Sequence, residues 1–308
     1  MMIERARGCM IGQLAGDALG SLVEFESTES IRRKYPGGLR ELADGGTFNT
    51  IAGQPTDDSE MALMLARTLV ERKTYDAEAA LEAYKYWFSS HPFDYGGTTA
   101  SALGGHKNYE SQANGALMRI SPLGIFGARH PLKTVAGWAM QDADLTHPHK
   151  VCRDANALFA MAIAFAVKTG PDPRSLYQAV SGWASELGVE PSLMETVLSA
   201  ASEPPADYVT KRGWVLIAFQ NALWQLLHAP NLEEGVVDTV MRGGDTDTNA
   251  AICGALLGAA YGLKAIPAQW LDSILKCRPE RGNPRVRHPR PECFWPADGL
   301  ELAKALVS

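Results

Sequence analysis

The amino-acid sequence predicts an all-α fold, arranged as a single compact multi-helix domain over residues 1–308. Apolar residues recur at helical spacing in several long segments, as in 61–69, where Met61, Met64 and Leu65 share one face. Alternating β patterns are scarce. Glycine and proline pairs separate the helical segments, and no linker or low-complexity tract divides the chain. One helical domain therefore accounts for its whole length.

The periodic segments define the predicted helices in chain order. They cover residues 61–69, 81–88, 155–167, 176–187, 215–227 and 250–263. The last two are apolar on nearly all faces, which predicts helices in the middle of a bundle. Before them, Gly12, Gly16 and Gly20 form one helical stripe, which suits close helix packing at least as well as contact with a substrate. Glu24 follows that stripe, and a buried carboxylate there needs a cation or water.

Composition limits the classes of function. With 46% hydrophobic residues and no apolar run of membrane-spanning length or signal-peptide pattern, the chain is expected to be cytoplasmic, without a membrane partner, and monomeric. The formal charge of -6 argues against a nucleic-acid partner, although residues 276–290 are locally basic. The prolines of that stretch predict an extended surface segment that is either solvated or faces a partner. Five widely spaced cysteines predict reduced thiols in the core.

Two acidic clusters stand out because each directly precedes a predicted helix. They are Thr56-Asp57-Asp58 and Asp245-Thr246-Asp247-Thr248. Either cluster alone is more often a helix cap than a set of metal ligands. Together they crowd more carboxylates than caps require, and all-oxygen ligand sets suit Mg²⁺, Ca²⁺ or Mn²⁺. An EF-hand is excluded, since Ala250 and Leu256 occupy the glycine and glutamate positions of that loop. The clusters thus predict a metal site where the two helices start close together.

Two loops carry further candidate residues. The small-residue turn at 112–119 can offer backbone N–H groups to a phosphate, with Asn114 and Arg119 as supplements. The segment Thr146-His147-Pro148-His149 precedes the next helix, and such histidines more often cap helices or lie on the surface than bind metals. No serine nucleophile elbow is present.

The motifs, in their order, resemble the ADP-ribosylglycohydrolase family, which includes the dinitrogenase-reductase-activating glycohydrolase and ADP-ribosylarginine hydrolases. The matching stretches are GCMIGQLAGDALGSLVEF (8–25), PTDDSEMALMLARTLV (55–70), WFSSHPFDYGGTT (87–99), NGALMRISPLGI (114–125), LTHPH (145–149) and GGDTDTNAAICGALLGAAYG (243–262). The resemblance spans nearly the whole chain. It implies an all-α fold around two divalent cations, Mg²⁺ or Mn²⁺, and hydrolysis of the bond between ADP-ribose and a protein side chain.

The resemblance also implies roles for individual residues. The implied metal ligands are Thr56, Asp57, Asp58, Asp245, Asp247 and Thr248. The implied catalytic carboxylates are Glu24, Asp58 and Asp94, which manage protons while the cations orient the ribose. The implied ADP-ribose contacts are Asn114, Gly115, Met118 and His147.

The substrate expected from the resemblance is a protein carrying ADP-ribosylarginine, because PFDYGGTT resembles the bacterial arginine-type enzymes. Several alternatives stay open. They are an ADP-ribosylserine or O-acyl-ADP-ribose hydrolase, a noncatalytic ADP-ribose reader or structural protein, a two-metal phosphohydrolase, and an immunity protein. The last would neutralise an ADP-ribosyltransferase toxin by hydrolysis or occlusion. The intact ligand set argues against the reader, and the absence of an adjacent His-Asp pair argues against the phosphohydrolase.

Overall fold

Fifteen α-helices form nearly all of the regular structure in a computed structural model that describes residues 1–308. Their bounds are α1 Met2–Gly20, α2 Thr28–Lys34, α3 Asp57–Arg72, α4 Ala77–Ser89, α5 Gly97–Leu103, α6 Ser121–Gly127, α7 Leu132–Thr146, α8 Lys150–Thr169, α9 Pro173–Leu187, α10 Pro191–Ser199, α11 Val215–His228, α12 Leu232–Met241, α13 Thr246–Tyr261, α14 Ala268–Lys276 and α15 Gly299–Leu306. Short 3-10 helices cover Leu263–Ala265, Glu292–Phe294 and Pro296–Asp298. There are no strands, only two isolated β-bridges. The predicted all-α class is confirmed.

Helices α1 and α13 form the centre of the molecule, and both are buried over most of their length. They run antiparallel, with their small residues facing each other. The opposed pairs are Gly8 with Gly258, Gly12 with Gly254, Gly16 with Ala250, and Gly20 with Asp247. A Cβ added at Gly12 or Gly16 would collide with a backbone carbonyl of α13. The glycine stripe therefore serves helix packing, and it brings the end of α1 to the start of α13.

The remaining helices surround this pair around one core of 76 buried residues. Helices α8, α11 and α12 pack against α13, while α3 packs against α4, α6 and α15. Because one continuous core joins elements from both ends of the chain, the prediction of a single compact domain is confirmed.

Some helices begin earlier in the structure than the apolar pattern of the sequence predicts. The segment predicted at 155–167 is part of α8, which begins at Lys150. The His149 side chain accepts a hydrogen bond from Val151 N at 3.1 Å and caps this helix, as expected for that motif. Apolar periodicity misses this start, because Lys150, Arg153 and Asp154 interrupt the apolar pattern at the beginning of α8.

Other features match the composition. The five cysteines are free, and four of them are buried. None of the helices combines the length and the apolar character needed to cross a bilayer. The proline-rich segment that follows α14 contains no α-helix up to Pro291. One of its residues, Arg290, is buried, which the sequence did not predict.

Candidate active site

The two acidic clusters meet in the structure, as the sequence predicts. Thr248 Oγ1, in the first turn of α13, donates to Asp58 Oδ2 in the first turn of α3 at 3.4 Å. Asp57, Asp245 and Asp247 are buried beside them. Residues almost two hundred positions apart thus form one group of carboxylates, because the first turns of two helices lie side by side.

Helix capping does not explain these acidic residues. Neither Thr56 nor Asp245 caps its own helix through its side chain. The cap of α3 comes instead from Asp17 of α1, whose carboxylate accepts from Thr56 N at 3.1 Å and from Ser59 N at 3.1 Å. The carboxylates of Asp57 and Asp58 are therefore not needed to cap α3. Asp17 was not predicted as part of the site. Its position inside an apolar helix could have indicated a buried polar role.

A cavity of about 270 Å³ lies at this junction. The predicted residues that line it are Glu24, Asp57, Asp58, Asp94, Asn114, Gly115, Met118, His147, Asp245, Asp247 and Thr248. Thr56 is the exception. Its hydroxyl donates to Asp17 Oδ1 at 2.9 Å and lies 3.1 Å from Asp58 Oδ2. All the other residues that the family resemblance implies are brought together at one cavity.

The carboxylates of the cavity lack compensating charge. Oxygen atoms of Glu24, Asp94 and Asp247 all lie within 4.8 Å of one another. Burial, followed by repulsion from Asp94 and Asp245, raises the pKa of Glu24 to about 9. Burial raises the pKa of Asp94 to about 6. Glu24 Oε2 and Asp58 Oδ1 are buried without a hydrogen-bond partner. A cluster of unsatisfied, hard oxygen atoms such as this fits a divalent cation.

The loop at Asn114 and Gly115 closes one side of the cavity. Asn114 Nδ2 donates to Asp245 Oδ2 at 2.7 Å, so this side chain orients a carboxylate of the cluster. Its backbone N–H donates to Gly213 O at 2.9 Å. A Cβ at Gly115 would lie 2.9 Å from both His147 Cε1 and Thr99 Oγ1. Glycine is thus required at this position, since any side chain would enter the space between them.

Arg119 does not supplement a phosphate site, contrary to the sequence interpretation. Its guanidinium is fully buried, donates from Nε to Asp142 Oδ1 at 3.1 Å, and lies 4.3 Å from the centroid of the Tyr84 ring. Tyr84 Oη also donates to Asp142, at 2.9 Å. An arginine in a glycine-rich turn suggests contact with a ligand. Here the hydrogen bond to Asp142 of α7 holds the Arg119 side chain in the core.

The loop that carries Asp94 is held by the segment after α14. Arg290 donates to both Glu60 oxygens at 2.8 Å and to Ser90 O at 3.1 Å. The ring of His288 stacks on Phe93, with centroids 4.6 Å apart. Arg290 departs from the predicted surface position of this basic segment, and its burial is possible because Glu60 compensates its charge. The segment instead fixes the backbone that precedes the candidate acid.

The rim of the cavity contains residues that the sequence did not indicate. They are Phe25, Tyr95, Thr99, Arg212 and Gly213. Phe25 adopts a left-handed backbone, with φ of 67°, and the Arg212 guanidinium lies 5.0 Å from its ring centroid. A bulky residue rarely takes this conformation. No residue pattern predicts it, because it follows from the tertiary contact of Phe25 N with Gly244 O at 2.8 Å.

Acidification should destabilise the protein through His147. Burial and then repulsion by Arg119 lower the pKa of His147 to about 3, from 6.5. The contribution of the neutral ring to stability is therefore complete above pH 6.5 and is lost as the pH falls towards 3. At about 1.4 kcal/mol per pH unit, we expect wild type to lose about 2 kcal/mol more than His147→Gln between about pH 6.5 and 5.

Urea denaturation of both proteins in chelator at the two pH values measures this difference. A matched control is His106→Gln, which replaces an exposed histidine. Equal pH dependence of wild type and His147→Gln would contradict a buried, neutral His147.

Comparisons with known proteins agree with this geometry. The family model described as ADP-ribosylglycohydrolase matches residues 2–289. The ADP-ribosyl-[dinitrogen reductase] glycohydrolase of Rhodospirillum rubrum is 29% identical, over 88% of this chain and 90% of its own. The ADP-ribosylarginine hydrolase Tri1 of Pseudomonas putida is 26% identical, over 88% and 74%. A solved structure titled "ADP-ribosylglycohydrolase-related protein complex" superposes with a TM-score of 0.80 and 28% identity, covering 99% of this chain and 97% of that one.

Proposed function

The chain belongs to the ADP-ribosylglycohydrolase family, and on that premise we propose that it is a metal-dependent hydrolase that removes ADP-ribose from modified arginine side chains of proteins. One observation carries the proposal. Carboxylate oxygens of Glu24, Asp94 and Asp247 converge within 4.8 Å in a cavity that also contains the Asn114 loop. Such a cavity combines a site for a cation with room for a bound ligand.

Two divalent cations, Mg²⁺ or Mn²⁺, are the proposed cofactors. Their proposed ligands are Asp57, Asp58, Asp245, Asp247 and Thr248, all of which line the cavity, together with Thr56. The unpartnered Asp58 Oδ1 supports this assignment, because a buried carboxylate oxygen requires a positive partner. The place of Thr56 stays a prediction, since its hydroxyl bonds to Asp17. Bound cations would neutralise the cluster and activate water for attack.

The protons are assigned to the carboxyl groups of the chain. Cleavage at the anomeric carbon builds positive charge on the ribose, which the surrounding carboxylates stabilise. The attacking water gives its proton to one carboxylate, and the departing guanidine takes a proton from another. We propose Glu24, Asp58 and Asp94 for these steps. The pKa of Asp94 is raised to about 6, which is close enough to neutral pH for this carboxyl group to hold or release a proton.

Arginine is the proposed acceptor on electrostatic grounds. Its guanidinium stays cationic when linked to ribose, whereas a serine linkage is neutral. Asp94 is only half-buried and adjoins the exposed Tyr95, so a carboxylate lies near the opening through which the acceptor enters. The similarity to a bacterial ADP-ribosylarginine hydrolase supports the same choice. An ADP-ribosyltransferase toxin as a partner, the monomeric state and the cytoplasmic location stay predictions.

The experiment measures release of ADP-ribose from arginine-linked and serine-linked peptides, with Mg²⁺, with Mn²⁺ and with chelator. We expect release from the arginine-linked peptide, dependent on a cation. Glu24→Gln should slow it by about 10² to 10⁴-fold, since the amide cannot exchange a proton. Glu82→Gln is the matched control, because Glu82 is exposed on α4.

Other products identify the alternatives. Release from the serine-linked peptide alone would replace arginine by serine as the acceptor. Release of AMP or phosphate would indicate a phosphohydrolase. Binding of ADP-ribose without any release would indicate a reader.

A further inference from the structure

A second cavity lies on the other side of one wall of the candidate active site. The wall is the loop of residues 209–214, which we call the ridge. Arg212 and Gly213 line the active-site cavity, whereas Lys211 and Trp214 line the second cavity, which has a volume of about 400 Å³. Consecutive Cα atoms are about 3.8 Å apart, so a single segment of backbone separates the two cavities. A protein whose side chain enters one cavity therefore lies within reach of the other.

The ridge is held in place by the loop that precedes α6. Trp214 Nε1 donates to Gln112 Oε1 at 2.9 Å, and Val215 N donates to Gln112 O at 2.9 Å. Lys211 Nζ lies 4.7 Å from the centroid of the Trp214 ring. The wall between the cavities is thus formed without a partner. A preformed site loses less conformational entropy when it binds a ligand.

Several polar side chains of the second cavity already have partners within the protein. Thr196 Oγ1 and Gln220 Nε2 donate to backbone carbonyls at 2.8 and 3.1 Å. The Asp207 carboxylate accepts from two N–H groups of its own loop, at 2.8 and 2.9 Å. The apolar side chains of the lining are Trp214, Leu216 and Ile217. The second cavity therefore offers mainly apolar surface to a partner.

Apolar side chains are also exposed on the elements that form the second cavity. Leu198, next to the lining residue Ser199 on α10, is 54% exposed, and Val209 on the ridge is 41% exposed. A pocket with an apolar lining and exposed apolar neighbours is typical of a surface that binds another protein. A small polar ligand would need more free polar groups than this lining provides.

We propose that the second cavity is a docking site for the protein that carries the ADP-ribosylated side chain, and that it binds an apolar side chain of that protein, such as leucine. The inference rests on the proposed function, because a protein substrate must lie across the mouth of the active-site cavity. The apolar side chain and the modified side chain occupy neighbouring cavities, with the ridge between them. The docked side chain does not touch the bond that is cleaved. Its loss therefore raises KM and leaves kcat unchanged.

The docking site is tested with synthetic peptides that each carry one ADP-ribosylated arginine. A series of peptides places a single leucine about two to eight residues from the arginine, which spans about 7 to 26 Å in an extended chain. The reference peptide has serine at all of these positions. We expect a narrow range of spacings to lower KM about tenfold with kcat unchanged, because the leucine side chain becomes buried. Equal KM values for all peptides would overturn the proposal.

Two variants fill the second cavity from different sides. Ser199→Trp fills it from α10, and Ala206→Trp fills it from the loop that precedes the ridge. Each should remove the advantage of the leucine peptide and leave KM and kcat for the reference peptide and for free ADP-ribosylarginine unchanged. Ser185→Trp is the matched control, because Ser185 is exposed on α9 and does not line the second cavity. Thermal unfolding shows whether each variant folds.

Three results would contradict the docking site. The first is that both filling variants retain the wild-type preference for the leucine peptide. The second is an equal loss for free ADP-ribosylarginine, which would indicate damage to the active site. The third is a wild-type dimer in sedimentation that Ser199→Trp dissociates, which would assign the second cavity to a second copy of the chain.

Failure of the docking site can be distinguished from failure of the proposed function. If no arginine-linked compound is hydrolysed, the proposed function fails, and calorimetry with the leucine and reference peptides still tests docking. If hydrolysis occurs and leucine lowers KM at no spacing, only the docking site fails.

Discussion

Replacing Asp57 and Asp245 together by alanine should abolish divalent-cation binding and reduce hydrolysis to the level of a buffer control. Asp57 is the first residue of α3 and Asp245 directly precedes α13, so the double variant removes a proposed ligand from each half of the cluster. Wild type should gain about 2.7 kcal/mol of stability at a cation concentration one hundred times the dissociation constant. The double variant should gain none.

Thermal unfolding with and without Mg²⁺ or Mn²⁺ measures this gain, and calorimetry measures binding directly. The matched control replaces two exposed carboxylates, Glu186 and Asp272, by alanine and should keep both properties. Retention of full turnover by Asp57→Ala/Asp245→Ala would refute the assignment of these residues as ligands.

Gly12→Ala should lower the free energy of unfolding by about 2 to 3 kcal/mol, although it adds one methyl group. The added Cβ would collide with Gly254 O on the facing helix, and neither backbone can move without disturbing the core around α1 and α13. Separation of the two helices would also move Gly20 away from Asp247, so cation binding should weaken as well.

Gly182→Ala is the control, since Gly182 lies within α9 and an added Cβ would meet no atom within 4 Å. It should raise the free energy of unfolding by about 0.5 to 1 kcal/mol, because alanine restricts the unfolded chain more than glycine does. Denaturant titration measures both variants. Equal effects of Gly12→Ala and Gly182→Ala on the free energy of unfolding would show that the close approach of α1 and α13 is not required.

Apolar periodicity predicted six of the fifteen α-helices, namely α3, α4, α8, α9, α11 and α13, because it reports directly which face of a helix is buried. The acidic clusters were also predictable, since contiguous carboxylates before a helix exceed what capping needs. Asp58 and Asp247 belong to such clusters, and the structure brings them to one cavity.

Single residues that act through tertiary contacts were not predictable. Asp17 caps α3 from another helix, and Arg119 turns inward because Asp142 lies on α7. Thr99 enters the cavity only because α5 lies beside the Gly115 loop. In each case the partner is distant in sequence, and the type of residue alone does not reveal the direction of the side chain.

The pairing of α1 with α13 has a consequence for the order of assembly. Thr246 Oγ1 donates to Gly20 O across a separation of 226 residues, so the two ends of the cluster are made at very different times during synthesis. A growing chain that has not yet released α13 from the ribosome lacks Asp245 and Asp247 at the cavity. Closing so long a loop has an entropic cost, and cooperative contacts along the whole helix pair must offset it. The proposed divalent cations would therefore find their complete set of ligands only after α13 has joined α1.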